Sequence, residues 1–264
     1  MAENKGIIKI KGKLGPLSFY NSKRKKNLVK WSSGHSGDTI KNDPAFANVR
    51  KNNNEFGGGS VISKALRQSW GPMGRQFQDS YMAGRLTSAC RKLIIQSSGD
   101  WGIREGNLRT HGNQLIGFAF DKEQPFSYGF SGAFQADFKA DRSQCILTCN
   151  PLYPEDFANK PAQATHVQFT AAISLVSNHY WNKAAEKYLP KVPKQNALGN
   201  IQTTGFLPIH ELPIAMEWVL NTPNDAIPQA NVACVVTLGI SYGVLHHRIE
   251  RLRSGQTMHI LSVV

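Results

Sequence analysis

Side chains that could bind a metal or act as nucleophiles occur here without the spacing that such chemistry usually needs. The chain of 264 residues contains eight His and four Cys, and no two His stand in the H-x-x-x-H or H-E-x-x-H arrangement of a helical zinc site. Cys145 and Cys149 form one loose pair, whereas a structural zinc site is usually built from two close pairs. Because residues four apart on a strand share a face, we interpret both as buried thiols and predict no metal and no cofactor.

Enzymatic chemistry finds little support in the sequence. The 18 Asp and Glu residues include no short cluster suited to two-metal hydrolysis, although a Ser-His-Asp triad assembled only in space stays open. Gly57-Gly58-Gly59-Ser60, followed by Lys64, precedes a predicted helix, where an anion could bind. The spacing is not that of a P-loop, so we interpret this stretch as a connector between two helices. We therefore expect a protein that is not an enzyme.

Positive charge is concentrated in the first part of the chain. The net charge is +13, and residues 1–110 hold 20 Lys and Arg against 7 Asp and Glu, whereas residues 111–264 hold 11 of each. This asymmetry indicates a polyanion or an acidic protein surface as partner, with a solvated basic face as the alternative. The candidate polyanion-binding residues, whose amines would release counterions from a nucleic acid, are Lys9, Lys11, Lys13, Lys23, Arg24, Lys25 and Lys26.

Residues 1–31 are predicted to form a basic β-arm. Apolar residues alternate with lysines over Ile7–Leu14, and Leu17–Tyr20 and Leu28–Trp31 flank a polar tip, which is typical of a hairpin. A two-stranded ribbon is marginal in water, so the arm must lie on its own chain or on a neighbour. Its aromatic residues could stack on nucleic-acid bases, but we favour interface anchors because aromatic residues dominate interface cores. The candidate assembly residues are Ile8, Ile10, Leu17, Phe19, Tyr20 and Trp31.

Residues 43–96 are predicted to be helical. Asp43-Pro44 combines an N-cap carboxylate with a proline at the first helical position. The three glycines should end a first helix, and apolar residues spaced along Val61–Trp70 predict a second one. A third helix is expected over Arg75–Gln96.

Residues 107–264 are predicted to form an antiparallel β-sandwich. Seven or more short apolar or alternating runs, bounded by turn residues, are typical of this architecture. The longest is Ala164–Val176, and shorter strands are assigned to Leu115–Phe120 and Phe126–Phe130 among others. Pro190–Thr204 is predicted to be a long loop. The fold class is therefore α+β: a basic N-terminal arm, a helical segment and a C-terminal antiparallel β-sandwich.

Several stretches carry a resemblance to a family of bacterial proteins of unknown function. The family opens with a GKLG-x-x-SFY pattern, here at residues 11–20, and continues with DPAF and EFG patterns, here at residues 43–46 and 55–57. The likeness covers mainly residues 6–67. It implies no activity, fold or ligand, while the phage-like surroundings of the members imply an assembly role.

These observations predict a non-enzymatic structural protein that self-assembles through its N-terminal arm into a homo-oligomer such as a ring, tube, filament or shell. The alternative is a nucleic-acid-binding protein that uses the basic residues of 1–110. No apolar run approaches the length of a membrane span, so no membrane partner is expected. The opening residues lack the apolar core of a secretory signal, and with few cysteines we expect a cytoplasmic protein.

Overall fold

The computed structural model describes residues 2–5, 10–22, 25–32 and 34–264. The chain divides into two compact units, Met1–Arg50 and Lys51–Val264. Helices and antiparallel sheets both contribute extensively, so the predicted α+β class is confirmed. No helix in the described part of the chain is long and apolar enough to cross a membrane.

The N-terminal unit contains a four-stranded antiparallel sheet. Its strands, in the order β1-β4-β3-β2, are β1 (Ala2–Glu3), β2 (Gly12–Leu14), β3 (Leu17–Tyr20) and β4 (Leu28–Trp31), and the helix α1 (Gly37–Asn42) follows. The predicted hairpin between β3 and β4 is confirmed, and the sheet is larger than the expected ribbon because β1 and β2 join it. Of the predicted strand Ile7–Leu14, the described residues 10–14 contain β2. Residues 6–9 lie outside the described residues.

The predicted helix start at Asp43 is confirmed. The Asp43 carboxylate accepts a hydrogen bond from the backbone N–H of Ala45 at 2.9 Å and caps the 3₁₀ turn Pro44–Phe46. Arg50 donates to the carbonyls of Asp43 and Ile40 at 2.7 and 2.9 Å, which ties the cap to the end of α1.

The C-terminal unit combines helices with two main sheets. Its helices are α2 (Ala47–Ser69, from Lys51 onward in this unit), α3 (Gly71–Gly74), α4 (Met82–Gln96), α5 (Leu108–His111) and α6 (Phe126–Gly129). Its strands are β5 (Phe134–Phe138), β6 (Gln144–Leu152), β7 (His166–Ser177), β8 (His179–Asn182), β9 (Lys187–Pro190), β10 (Leu198–Thr203), β11 (Leu207–Pro208), β12 (Ile214–Asn221), β13 (Val232–Leu245), β14 (Ile249–Arg251) and β15 (Thr257–Val263). Further 3₁₀ turns lie at Arg75–Phe77, Gly112–Leu115, Pro154–Phe157, Pro193–Gln195, Ile209–Glu211 and Pro223–Asp225.

Strands β7 and β13 form the centre of the unit. They pair with each other over 12 residue pairs, β10 and β11 add to β7, and β14 and β15 add to β13. Phe169 and Ile173 of β7 belong to one core with Leu147 of the smaller sheet β12-β6-β5. On the other face, Ala172 and Val176 belong to a second core with residues of α2 and α4. The larger sheet is therefore covered on both faces, which explains why every residue of β7 is buried.

The three-glycine stretch lies inside one continuous helix, so the interpretation of Gly57-Gly58-Gly59-Ser60 as a connector is wrong. A Cβ atom at Gly59 would lie 2.8 Å from the backbone nitrogen of Arg91 and 2.9 Å from the carbonyl oxygen of Thr87. Helices α2 and α4 thus approach each other backbone to backbone at this point. This tertiary contact outweighs the low helix propensity of glycine.

Other predicted elements were wrong where the apolar run is too short for its periodicity to distinguish a helix from a strand. Two predicted strands, both within the described residues, are absent from the structure. Leu115–Phe120 is the end of a 3₁₀ turn followed by an irregular segment, and Phe126–Phe130 contains the helix α6. Buried helical turns and buried strands cannot be told apart from such short runs. Pro190–Thr204, predicted to be a loop, contains β10, which pairs with β7. Strands β8 and β9 form a hairpin just before it.

The buried His179 and the half-buried His259 predict a loss of stability in acid. Burial lowers the pKa of His179 to about 4 and that of His259 to about 4, whereas an unfolded histidine has a pKa of about 6.5. The unfolded chain therefore binds more protons between these values, and the free energy of unfolding should fall as the pH decreases from about 6.5 to 4. The expected loss is of order 2–3 kcal/mol for the fully buried His179 and smaller for the half-buried His259, which solvent screens in part.

Urea unfolding at a series of pH values measures this dependence. His179→Gln should make the pH dependence shallower by the contribution of His179. His247→Gln, at an exposed side chain, is the matched control for the same chemical change. A His179→Gln profile as steep as that of the unaltered protein would contradict the assignment.

Candidate assembly interface

The N-terminal sheet has one entirely apolar face. In the β3/β4 register Phe19 lies opposite Val29 and Leu17 lies opposite Trp31, and Leu14 of β2 lies opposite Leu17. Directly opposed residues of an antiparallel pair point to the same side of the sheet. These five side chains, named here the apolar face, therefore form one continuous patch.

The side chains of the apolar face are only partly buried. Trp31 is 66% exposed and Leu14 is 60% exposed, while Leu17, Phe19 and Val29 are half-buried. Burying a side chain of this size fully is worth about 1.5–3 kcal/mol. A large part of that stabilisation is unrealised in the isolated chain, and contiguous exposed apolar surface of this kind is typical of an interaction site.

The reverse face of the same sheet is basic. Lys13 lies opposite Ser18, and Ser18 lies opposite Lys30. The Lys30 ammonium group lies 5.5 Å from the centre of the Tyr20 ring, a cation–π contact. Leu28, opposite Tyr20, is buried. The sheet is thus amphipathic, with its charges on one side only.

The predicted assembly residues divide between these surfaces. Leu17, Phe19 and Trp31 lie on the apolar face, Tyr20 lies on the basic face, and Ile10, which is 38% exposed, precedes β2. Ile8 lies outside the described residues. Sequence reasoning did not single out Leu14 and Val29 as site residues. The register of the hairpin would have identified them, because a one-residue shift exchanges the two faces.

Four of the seven predicted polyanion-binding residues lie within the described residues. Lys11, Lys13, Lys25 and Lys26 are all exposed. The ammonium group of Lys25 lies 3.9 Å from the Glu3 carboxylate, a surface contact that contributes little. Lys9, Lys23 and Arg24 lie outside the described residues, so the grouping of all seven stays a prediction.

The cysteines fit the interpretation as buried thiols. Cys145 and Cys149 both lie on β6, and all four cysteines are buried and free. Burial raises the pKa of Cys90 to about 12 and that of Cys149 to about 11, so neither is a reactive thiolate at neutral pH. Within the described ranges, no three His, Cys, Asp or Glu side chains are grouped so that they could hold a metal ion.

Sequence reasoning missed one motif, because Gly239–Gly243 reads G-x-S-x-G. In hydrolases this motif places its serine on an exposed strand-to-helix turn. Here Ser241 lies inside β13 and is fully buried, so the serine is not presented to a substrate.

Comparisons of the chain with protein-family models, with curated proteins and with solved structures found no match. The assignment of a function therefore depends on the geometry of the chain itself.

Proposed function

We propose that this protein is a non-enzymatic structural protein that self-assembles into a homo-oligomer through its N-terminal sheet. The observation that carries the proposal is the apolar face, whose two largest exposed members, Leu14 and Trp31, lie side by side with Leu17 on adjacent strands. An exposed face of this kind gains stability when a second surface covers it.

A second copy of the chain fits this face better than a charged partner does. The apolar face contains no charge, and the lysines of the sheet point away from it. Two such sheets packed face to face would lie about 10 Å apart, with both basic faces directed toward water. At physiological salt, charges separated by more than about 8 Å are largely screened, so the basic faces would not prevent the pairing.

Strand edges provide a further means of association. Among the residues that the structure describes, β2 pairs only with β3 and β5 pairs only with β6. Each therefore leaves one edge unpaired, and unpaired edges accept a strand from another chain. An assembly with more than two copies could combine these edges with the apolar face.

The size of the apolar face predicts a concentration-dependent assembly. Four strands of at most four residues span roughly 250 Å², from the spacings of a β-sheet. A stable interface usually buries about 800 Å² on each partner. One such contact is therefore weak, and we expect the mass of the assembly to rise with protein concentration.

A pair of matched variants tests the proposal. Leu14→Ser with Trp31→Ser removes the two most exposed members of the apolar face, whereas Lys13→Ser with Lys30→Ser changes the same two strands on the basic face. Size-exclusion chromatography with light scattering should give the 29.2 kDa monomer for the first variant and a multiple of that mass for the second. Circular dichroism controls for folding. Equal masses for both variants would overturn the assignment of the interface.

A further inference from the structure

A cavity of about 410 Å³ lies at the corner where α2 gives way to α3, on the C-terminal unit. It is separate in sequence from the apolar face and from the lysines of the N-terminal sheet. The residues around it are Lys64, Arg67, Gln68, Trp70, Gly71, Gly74, Arg75, Gln78 and Met82. Three of these are cations, two are amides, and none is acidic.

The corner is concave because the chain bends sharply at Gly71. This residue has a φ of +52°, in the left-handed region, and it is the first residue of the short helix α3, with Pro72 next. A Cβ atom at Gly71 would meet only the Cδ1 atom of Ile201, at 4.0 Å. Arg67 and Gln68 follow Lys64 on α2 by three and four residues, so each lies beside Lys64 on the helix surface. Arg75, beyond the bend, lines the same cavity.

The three cations of the corner have no carboxylate partner in the part of the chain that the structure describes. Other arginines of the unit do have one. The Arg85 guanidinium lies 2.8 Å from the Asp79 carboxylate, and that of Arg104 lies 3.6 Å from the Glu55 carboxylate. The positive charge around the cavity is therefore available to an anion from outside.

Arg67, like Arg85 and Arg91, also has a guanidinium nitrogen without a partner in the described part of the chain. Its side chain is half-buried, yet its Nε atom is shielded from solvent and has no hydrogen-bond partner among the described residues. A buried donor without an acceptor is costly, so such groups usually have a partner. An anion in the cavity would bring oxygen atoms to the same guanidinium group.

We propose that this corner binds a backbone phosphate of a single-stranded nucleic acid. The planar guanidinium groups of Arg67 and Arg75 match phosphate oxygens, with Lys64 as a point charge. The amides of Gln68 and Gln78 supply further donors. A concave corner of this volume admits one protruding phosphate of a flexible strand, whereas a duplex presents a broad convex surface.

A strand fits the corner better than a free nucleotide does. The one aromatic residue at the cavity, Trp70, is 1% exposed, so no ring is available on which a base could stack. Binding through phosphate alone is independent of base sequence. The net charge of +13 attracts a nucleic-acid strand, and any one of the many phosphates of that strand can occupy the cavity.

Fluorescence anisotropy with a labelled 20-nucleotide single-stranded DNA tests the proposal on the full-length protein at several salt concentrations. Lys64→Gln with Arg67→Gln and Arg75→Gln removes the site. Lys183→Gln with Lys187→Gln and Lys194→Gln removes the same charge from exposed positions of the same unit.

The first triple variant should weaken binding roughly 10- to 100-fold at 0.1 M salt. It should also reduce the slope of log K against log salt by about 0.7, since the site neutralises one phosphate of a single strand. The second should change the slope little.

The single variant Arg75→Gln, at an exposed side chain, keeps the test valid if the triple variant does not fold, and it should weaken binding of the strand by a smaller factor than the triple variant does. Light scattering on each variant separates this site from the assembly interface. The proposal is overturned if the protein does not bind the strand, or if the two triple variants bind it with equal affinity and slope. It is also overturned if adenosine monophosphate competes as strongly as the strand does per phosphate, because the ligand would then be a free nucleotide.

Discussion

Replacing Glu55 by Ala is expected to lower the free energy of unfolding by about 3 kcal/mol. The Glu55 side chain is 1% exposed, and its carboxylate accepts a hydrogen bond from the backbone N–H of Gly102 at 2.9 Å. The same oxygen lies 3.6 Å from the Arg104 guanidinium. Removing one partner of a buried pair typically costs about 3–5 kcal/mol, and the lower end applies because Arg104 is partly exposed and can regain water.

Chemical denaturation measures this loss, and Glu105→Ala is its matched control. Glu105 forms an ion pair with Lys191 at 2.7 Å, but both side chains are about one-third exposed, so we expect a change of less than about 1 kcal/mol. Glu55→Gln should recover part of the stability, because an amide oxygen can still accept the hydrogen bond from Gly102. Equal effects of Glu55→Ala and Glu105→Ala would contradict the buried role of Glu55.

Replacing neighbouring glycines of α2 by Ala is expected to change the stability in opposite directions. A Cβ atom at Gly59 would lie within 3.1 Å of three backbone atoms of α4, which cannot move independently, and overpacking of this kind costs about 1–3 kcal/mol. Gly57 has no atom within 4 Å of such a Cβ atom. Gly57→Ala should therefore stabilise the protein by about 0.5–1 kcal/mol through the higher helix propensity of alanine.

Thermal or urea unfolding of the two single variants distinguishes these outcomes. Both variants make the same chemical change two residues apart in the same helix, so their difference isolates the contact between α2 and α4. Stabilisation by Gly59→Ala would show that the two helices do not approach each other as closely as described.

The sequence correctly predicted a long strand with a clear apolar pattern and a helix start with a clear capping signal. The alternating run over Ala164–Val176 corresponds to β7, and Asp43-Pro44 does begin a helical segment. The three glycines of α2 misled the prediction, because local propensity indicates a break and only the packing of α4 makes the helix continue. Phe126–Phe130 was misread for a related reason, since a five-residue apolar run has no measurable period.

The candidate site was predictable only in part. Aromatic and basic residues in the first 31 positions were evident from the sequence, but their division into an apolar and a basic face depends on strand register. Tyr20 and Phe19 are neighbours in sequence and point to opposite faces. The corner at Gly71 was not recognisable, because Lys64 and Arg75 are 11 residues apart and share a cavity only after the chain bends.

The central claim is that the apolar face of the N-terminal sheet is covered by another copy of the chain. Light scattering of the unaltered protein over about 1–100 µM tests it most directly. We expect the mass to rise with concentration to a multiple of 29.2 kDa, the mass of one chain. On dilution it should return to 29.2 kDa. A mass of one chain at every concentration would contradict the claim.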